Sequence, residues 1–207
     1  MGIVFGCVVP HPPLLLPDVG HGQEKAIQAT IDALNRLAGE LAEAGPETLL
    51  VISPHGEGHG DAMGVLTGAR CTGDMRQWGS SSPTATYSND LDLVSALQHE
   101  AEAAHIALKS IGDKGYQLDH GVMAPMHYLG EKVKGLPLVP MTFSFLPLPS
   151  HFALGQALRI AAEKSGKRVA IIASGDLSHR LTPSAPSGYD PQGQVFDQEV
   201  VRAVREG

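Results

Sequence analysis

Cysteine is scarce in this chain: Cys7 and Cys71 stand alone, far apart and outside any Cys-x-x-Cys spacing. That excludes a disulfide framework and a zinc ribbon, and it suits a reducing cytoplasm. Cys7 reads as a small apolar residue inside a strand rather than a reactive thiol. Aromatic residues make up only 5%, so a core has to be built from Leu, Val, Ile and Ala. Lys and Arg nowhere cluster, and a formal net charge of -7 lacks the cations that a polyanionic partner needs, which excludes nucleic acid. No apolar run is long enough to span a membrane. The apolar N-terminus lacks a basic leader and is broken at once by Pro10-His11-Pro12-Pro13. A cytoplasmic protein without membrane attachment is expected, with homo-oligomer formation left open. Neither a Gly-x-Gly-x-x-Gly nor a Walker segment is present, so nucleotide binding is not indicated. The Gly-x-Ser-x-Gly elbow is also missing, which leaves Ser174 and Ser178 little support as acyl nucleophiles.

Histidine, by contrast, is abundant, with ten in 207 residues. Three of them follow short apolar runs. Residues 48–53 are a buried-strand pattern ending in Ser-Pro-His55-Gly; residues 3–9 run into Pro10-His11-Pro12-Pro13; residues 169–173 run into Ser-Gly-Asp-Leu-Ser-His179. In open α/β sheets ligands bind outside the carboxyl ends of the strands, so the three imidazoles are expected to converge there. The length and composition predict one α/β domain over residues 1–207, three layers thick, with a mostly parallel central sheet flanked by helices.

Between these strands, Ile27, Ile31, Leu34, Ala38 and Leu41 recur at helical spacing and predict a helix over 23–44, ended by Gly45-Pro46. It joins the first two histidine-bearing strands as a parallel pair with a right-handed crossover. A strand over 63–69 and a long loop over 73–83 follow. Ser88 is the expected N-cap of a helix reaching 106, and Asp119-His120-Gly121 introduces another over 122–133. A strand over 136–145 interrupted by Pro140, a helix over 150–165 and the third buried strand over 167–173 come next. The polar tail then passes Pro183, Pro186 and Pro191 into a helix beginning near Asp190. That helix is still periodic over 198–206, so the chain is expected to be the front portion of a longer product.

Flanking Pro and Gly fix the backbone at His11 and His55, as a metal ligand requires, and these two are the expected ligands. A third ligand, commonly a carboxylate, is needed; Glu57, Asp18 and Asp176 are on offer. Two histidines and a carboxylate on one octahedral face suit a non-haem Fe(II) oxygenase, whereas zinc would favour a tetrahedron and hydrolytic work. His179 is suited to moving a proton. His120, beside Asp119 and at a helix N-terminus, is a candidate for contacting an anionic oxygen. His127, His59, His99, His105 and His151 read as packed or hydrogen-bonded, and His21 as loop.

With these residues in view, the chain resembles the class III extradiol ring-cleavage dioxygenases, meaning the catalytic LigB-type subunit, and in particular the LigB-like part of AmmeMemoRadiSam proteins and their Memo relatives. The matching motifs are Val9-Pro10-His11-Pro12-Pro13, Ile52-Ser53-Pro54-His55-Gly56, Asp119-His120-Gly121-Val122 with His127-Tyr128-Leu129, and Ser174-Gly175-Asp176-Leu177-Ser178-His179. The resemblance implies a LigB-like fold. His11 and His55 would be ligands of Fe(II), His179 the acid/base, and His120 a contact to substrate or oxygen. The implied reaction opens a small aromatic diol next to its hydroxyls with O2. It also implies a third ligand, usually glutamate, beyond residue 207. A Memo-like metal- or ligand-binding regulatory protein and a zinc-dependent hydrolase are the alternatives.

Overall fold

The computed structural model describes residues 1–112, 116–185 and 187–206; Pro186, in the expected polar tail, lies outside them. The chain falls into two compact units, Met1–Ser174 and Gly175–Gly207. Among the described residues of the first, the strands are β1 (Gly2–Val9), β2 (Thr48–Ser53), β3 (Met63–Leu66), β4 (Arg70–Gly73), β5 (Ala85–Ser88), β6 (Leu108–Ile111), β7 (Tyr116–Leu118), β8 (Leu138–Thr142) and β9 (Arg168–Ser174). Its helices are α1 (Pro17–Gly20), α2 (Gln28–Glu43), α3 (Leu91–Ala103), α4 (His120–Leu129) and α5 (Leu148–Ser165). The second unit carries α6 (Pro191–Glu206).

The main sheet has the order β1-β9-β2-β8-β3-β6. Every neighbouring pair in it is parallel except β3 against β8. Strand β2 shows how the layers arise. It is apolar without alternation because both faces are covered. Leu49 and Val51 pack in one cluster with Ile31, Leu34, Ala38 and Leu41 of α2 and with Val122 and Met126 of α4. Leu50 points the other way, into a cluster with Leu93, Val94 and Leu97 of α3 and Leu154, Ala157 and Leu158 of α5. Helices thus cover both faces of the sheet, and burying each such Leu contributes about 1.5–3 kcal/mol. The α/β class with a mostly parallel sheet between helices is the one the sequence predicts.

Strands β1 and β2 are parallel as expected, but β9 inserts between them: Val9 pairs with Ser174, and Ile52 with Ala173. The carboxyl ends of three adjacent strands therefore lie along one sheet edge. Pro140 fits inside β8 because Leu49 donates to the Pro137 carbonyl, which puts residues 139 and 141 opposite β2 and turns Pro140's missing donor away from it.

Several elements depart from expectation. The expected loop over 73–83 is flanked by two strands that the sequence does not predict, β4 and β5, which with β7 form a second, three-stranded sheet in the order β5-β4-β7. Ser88 ends β5 and caps nothing; the N-cap of α3 is Asp90, whose side chain accepts from the Leu93 amide. Helix α4 begins at His120, two residues early, because Asp119 accepts from the Gly121 amide and starts the turn there.

Candidate metal centre

His11 follows β1 across a rigid Pro10, and His55 follows β2 across Pro54. Their Nε2 atoms stand 2.9 Å apart. His120, the first residue of α4, brings its ring to 4.1 Å from that of His55 and 5.5 Å from that of His11, centroid to centroid. One ring nitrogen from each of the three lies within 4.8 Å of the others. Among the described residues they are the one group of His, Cys, Asp or Glu arranged to hold a metal ion. Exposure is graded across it: His11 is buried, His120 half-buried and His55 exposed.

The last residue of β9 sets the chemistry of His11. Ser174 Oγ donates to the Gly121 carbonyl at 2.5 Å and lies 2.8 Å from His11 Nδ1. A serine hydroxyl has one proton, and it is committed to Gly121; the contact to His11 therefore requires a proton on Nδ1. The lone pair of His11 is left on Nε2, the atom that faces His55. A hydrogen bond of this kind to the distal nitrogen is how a metal-ligating histidine is held in its tautomer.

A second network supports His55 and His120. Ser53 donates to Asp119 Oδ1 at 2.6 Å, the Gly121 amide donates to the same oxygen at 2.7 Å, and the His55 amide donates to Ser53 Oγ at 3.2 Å. Asp119 thus fixes the backbone of both histidine-bearing segments, where the sequence suggested that it orients an imidazole. Two glycines of the motifs are required by space. A Cβ on Gly121 would stand 2.3 Å from Ser53 Oγ, and one on Gly56 would stand 2.4 Å from Tyr116 Oη. Burial, with the charge of Asp119, pushes the Tyr116 phenol far above its usual range, so it remains a hydroxyl.

The donor set fits a divalent ion. Two nitrogens in adjacent octahedral positions at bond lengths near 2.1 Å are about 3.0 Å apart, and two in a tetrahedron about 3.4 Å. The observed 2.9 Å matches the first. His120 completes the group, with a ring nitrogen within 4.8 Å of the other two. Of the carboxylates offered by the sequence, Glu57 accepts instead from the Gly112 amide at 3.3 Å. Neither Glu57 nor Asp18 joins the group. His179 and Asp176 belong to the second unit, where His179 Nε2 lies 3.3 Å from Asp176 Oδ2 and the Ser178 amide donates to Asp197 Oδ1.

A cavity of about 570 Å³ opens beside His55, lined also by Asp74, Arg76, Tyr116, Gln117 and Asp119. Trp78, in the turn that follows Met75, packs edge-on against His120 at 5.0 Å and is 43% exposed. Ser174, Ser53, Tyr116 and Trp78 are the participants missed by the sequence reading. Ser174 stood within a motif but was weighed only as a nucleophile, and Trp78, the only tryptophan, stood in a stretch read as loop.

An α/β fold carrying a metal-competent histidine cluster at the carboxyl edge of its sheet is the class that these features define. Residues 6–207 match the family described as the catalytic LigB subunit of aromatic ring-opening dioxygenase, and the chain belongs to that family. It is 29% identical to protein CA_C1420 of Clostridium acetobutylicum over 97% of its length, and spans 44% of that relative. It is 26% identical to the 2-aminophenol 1,6-dioxygenase beta subunit of a Pseudomonas species, covering 99% of this chain and 75% of the relative. Identity to the 3,4-dihydroxyphenylacetate 2,3-dioxygenase of Escherichia coli is 25%, over 93% of this chain and 72% of that one. The crystal structure of the uncharacterized protein JW3007 from Escherichia coli K12 shares the fold, with a TM-score of 0.51 at 19% identity over 71% of this chain and 54% of that one. No described helix is long and apolar enough to cross a membrane.

Proposed function

We propose that this chain is the histidine-bearing part of a non-haem Fe(II) extradiol dioxygenase that opens a catechol-type ring with O2. The observation that carries the reading is the His11–His55 pair, its Nε2 atoms 2.9 Å apart and His11 held by Ser174 with its lone pair facing His55. His11 and His55 are the proposed ligands. His120, within the same cluster, takes the contact to substrate or oxygen, and its place at the N-terminus of α4 favours a negatively charged oxygen there. His179, whose Nε2 lies 3.3 Å from Asp176 Oδ2, is assigned the proton transfer. Trp78 offers an aromatic edge to the diol ring. The chemistry that bound iron supplies is the passage of electrons between a singlet catecholate and triplet oxygen. Support comes also from the family match and from relatives named as dioxygenases of ring-hydroxylated or aminated aromatics.

The test is oxygen consumption by anaerobically iron-loaded protein across a panel of catechols, with the yellow ring-opened product read optically. Uptake matched to diol is expected. His55→Ala should lose both iron and activity, whereas His179→Ala should keep its iron and lose roughly 10²–10⁴ in kcat. Absence of oxygen uptake across the panel would sink the reading. Zinc retained in protein purified without added metal, with no iron response, would favour the hydrolase alternative.

A further inference from the structure

The wall of the cavity beside His55 is richer in acceptors than in donors. Among the described residues lining it are three carboxylates, Glu57, Asp74 and Asp119, and one permanent cation, Arg76. Arg76 is already engaged. Its Nε lies 2.8 Å and its Nη2 2.6 Å from Asp74 Oδ2, and its amide donates to Asp74 Oδ1 at 3.0 Å. Hydrogen bonds from Arg76 hold the Asp74 carboxyl below the usual carboxylate range, so the pair is formed and neutral overall at ordinary pH. Glu57 and Asp119 remain. Asp119 is 9% exposed and Tyr116 7%, yet Asp119 Oδ2 and Tyr116 Oη have no hydrogen-bond partner among the described residues. Buried acceptors of this kind are ordinarily satisfied, and an unsatisfied carboxylate oxygen calls for a donor or positive charge.

We infer that this cavity selects diols whose ring substituent is neutral or bears an ammonium group, and disfavours those bearing a carboxylate. The inference rests on the ring-opening reading for the orientation of the diol. With the hydroxyls at the histidines and any bound ion, their charge is matched there, and the substituent is left to meet the wall of Glu57, Asp74, Arg76 and Gln117. A carboxylate at that wall meets like charge and a guanidinium already occupied. An ammonium meets the net negative charge that Glu57 adds to the neutral Asp74–Arg76 pair, and a methyl group is indifferent to it. This sets the chain apart from the relative named for 3,4-dihydroxyphenylacetate.

The experiment is an anaerobic titration of the iron-loaded full chain with 4-(2-aminoethyl)catechol, 4-methylcatechol and 3,4-dihydroxyphenylacetate. It is read by the emission of Trp78, the only tryptophan, which lies against His120. The ammonium-bearing diol should bind at least about fivefold more tightly than the carboxylate-bearing one, the discrimination that one partly exposed charge pair supports. Asp74→Asn frees Arg76 and should shift that ratio toward the carboxylate by a similar factor. Asp61→Asn, which removes the same charge outside the cavity, should leave the ratio in place. Equal or tighter binding of the carboxylate, no binding of any of the three, or a ratio indifferent to Asp74→Asn overturns the inference. Oxygen uptake is then measured on the same samples. Selective binding without uptake defeats the ring-opening reading and leaves the charge selection standing; uptake without selectivity does the reverse.

Discussion

One hydroxyl proton decides which nitrogen of His11 carries the lone pair. Ser174 closes β9 between the two strands that carry His11 and His55, and its donation to Gly121 joins β9 to the start of α4. Removing it leaves a buried carbonyl short of a donor and His11 short of the acceptor that fixes its tautomer. Ser174→Ala should therefore weaken Fe(II) binding about 10–100-fold, as loss of such an outer contact does, while the far-ultraviolet spectrum is retained. Competition against a calibrated chelator measures it; an unchanged dissociation constant would show that the tautomer is set elsewhere. Reading the sequence alone identified His11 and His55 because proline and glycine mark them in their own segments. Ser174 carries no such mark, since its role depends on which strand inserts between β1 and β2, a non-local fact.

At the scale of the element, strands written as continuous apolar runs were legible and short alternating ones were not. Strand β2 is a continuous apolar run and can be read directly. Strands β4 and β5 have four residues each with alternating exposure, Arg70 and Thr72 out against Cys71 and Gly73 in, and so short an alternation does not stand out from a polar loop. The expectation of Ser88 as the cap of α3 failed because Asp90 is an equally good capping residue and tertiary partners decide. Asp90 Oδ1 accepts from the Leu93 amide at 3.1 Å and from Lys167 at 2.6 Å, and Oδ2 accepts from Thr48 at 2.5 Å. One carboxylate thereby ties the start of α3 to the starts of β2 and β9. Burial pushes its pKa up, but Lys167 and Thr48 outweigh burial and hold it below the ordinary value. Its contribution is accordingly full above the ordinary carboxylate range and lost as pH falls through the lowered value. Asp90→Ala should cost about 2–3 kcal/mol in urea unfolding near neutral pH, from the lost cap and the stranded partners, and less in strong acid. An equal cost at both pH values would count against the charged network.

Across the first unit, the candidate metal centre gathers segments that are remote in sequence, since His11, His55 and His120 arrive from the ends of β1 and β2 and from the start of α4. The second sheet delivers the last of these through β7, which is why membership of His120 in the cluster could not be read from its own neighbours. An ion shared by such segments binds the folded chain and not the unfolded one, and so stabilises it by mass action. At free Fe(II) a hundredfold above its dissociation constant the gain is about 2.7 kcal/mol, or roughly 5–10 °C in Tm for a domain of this size. Chelator treatment should return the transition to that of metal-free protein. In His55→Ala the metal-free transition should stay close to the parent, because His55 is exposed and leaves no cavity, while the metal-dependent increment disappears. A shift that survives His55→Ala would mean that the ion stabilises the chain from some other place, and the convergence of the strand-end histidines would then have no share in it.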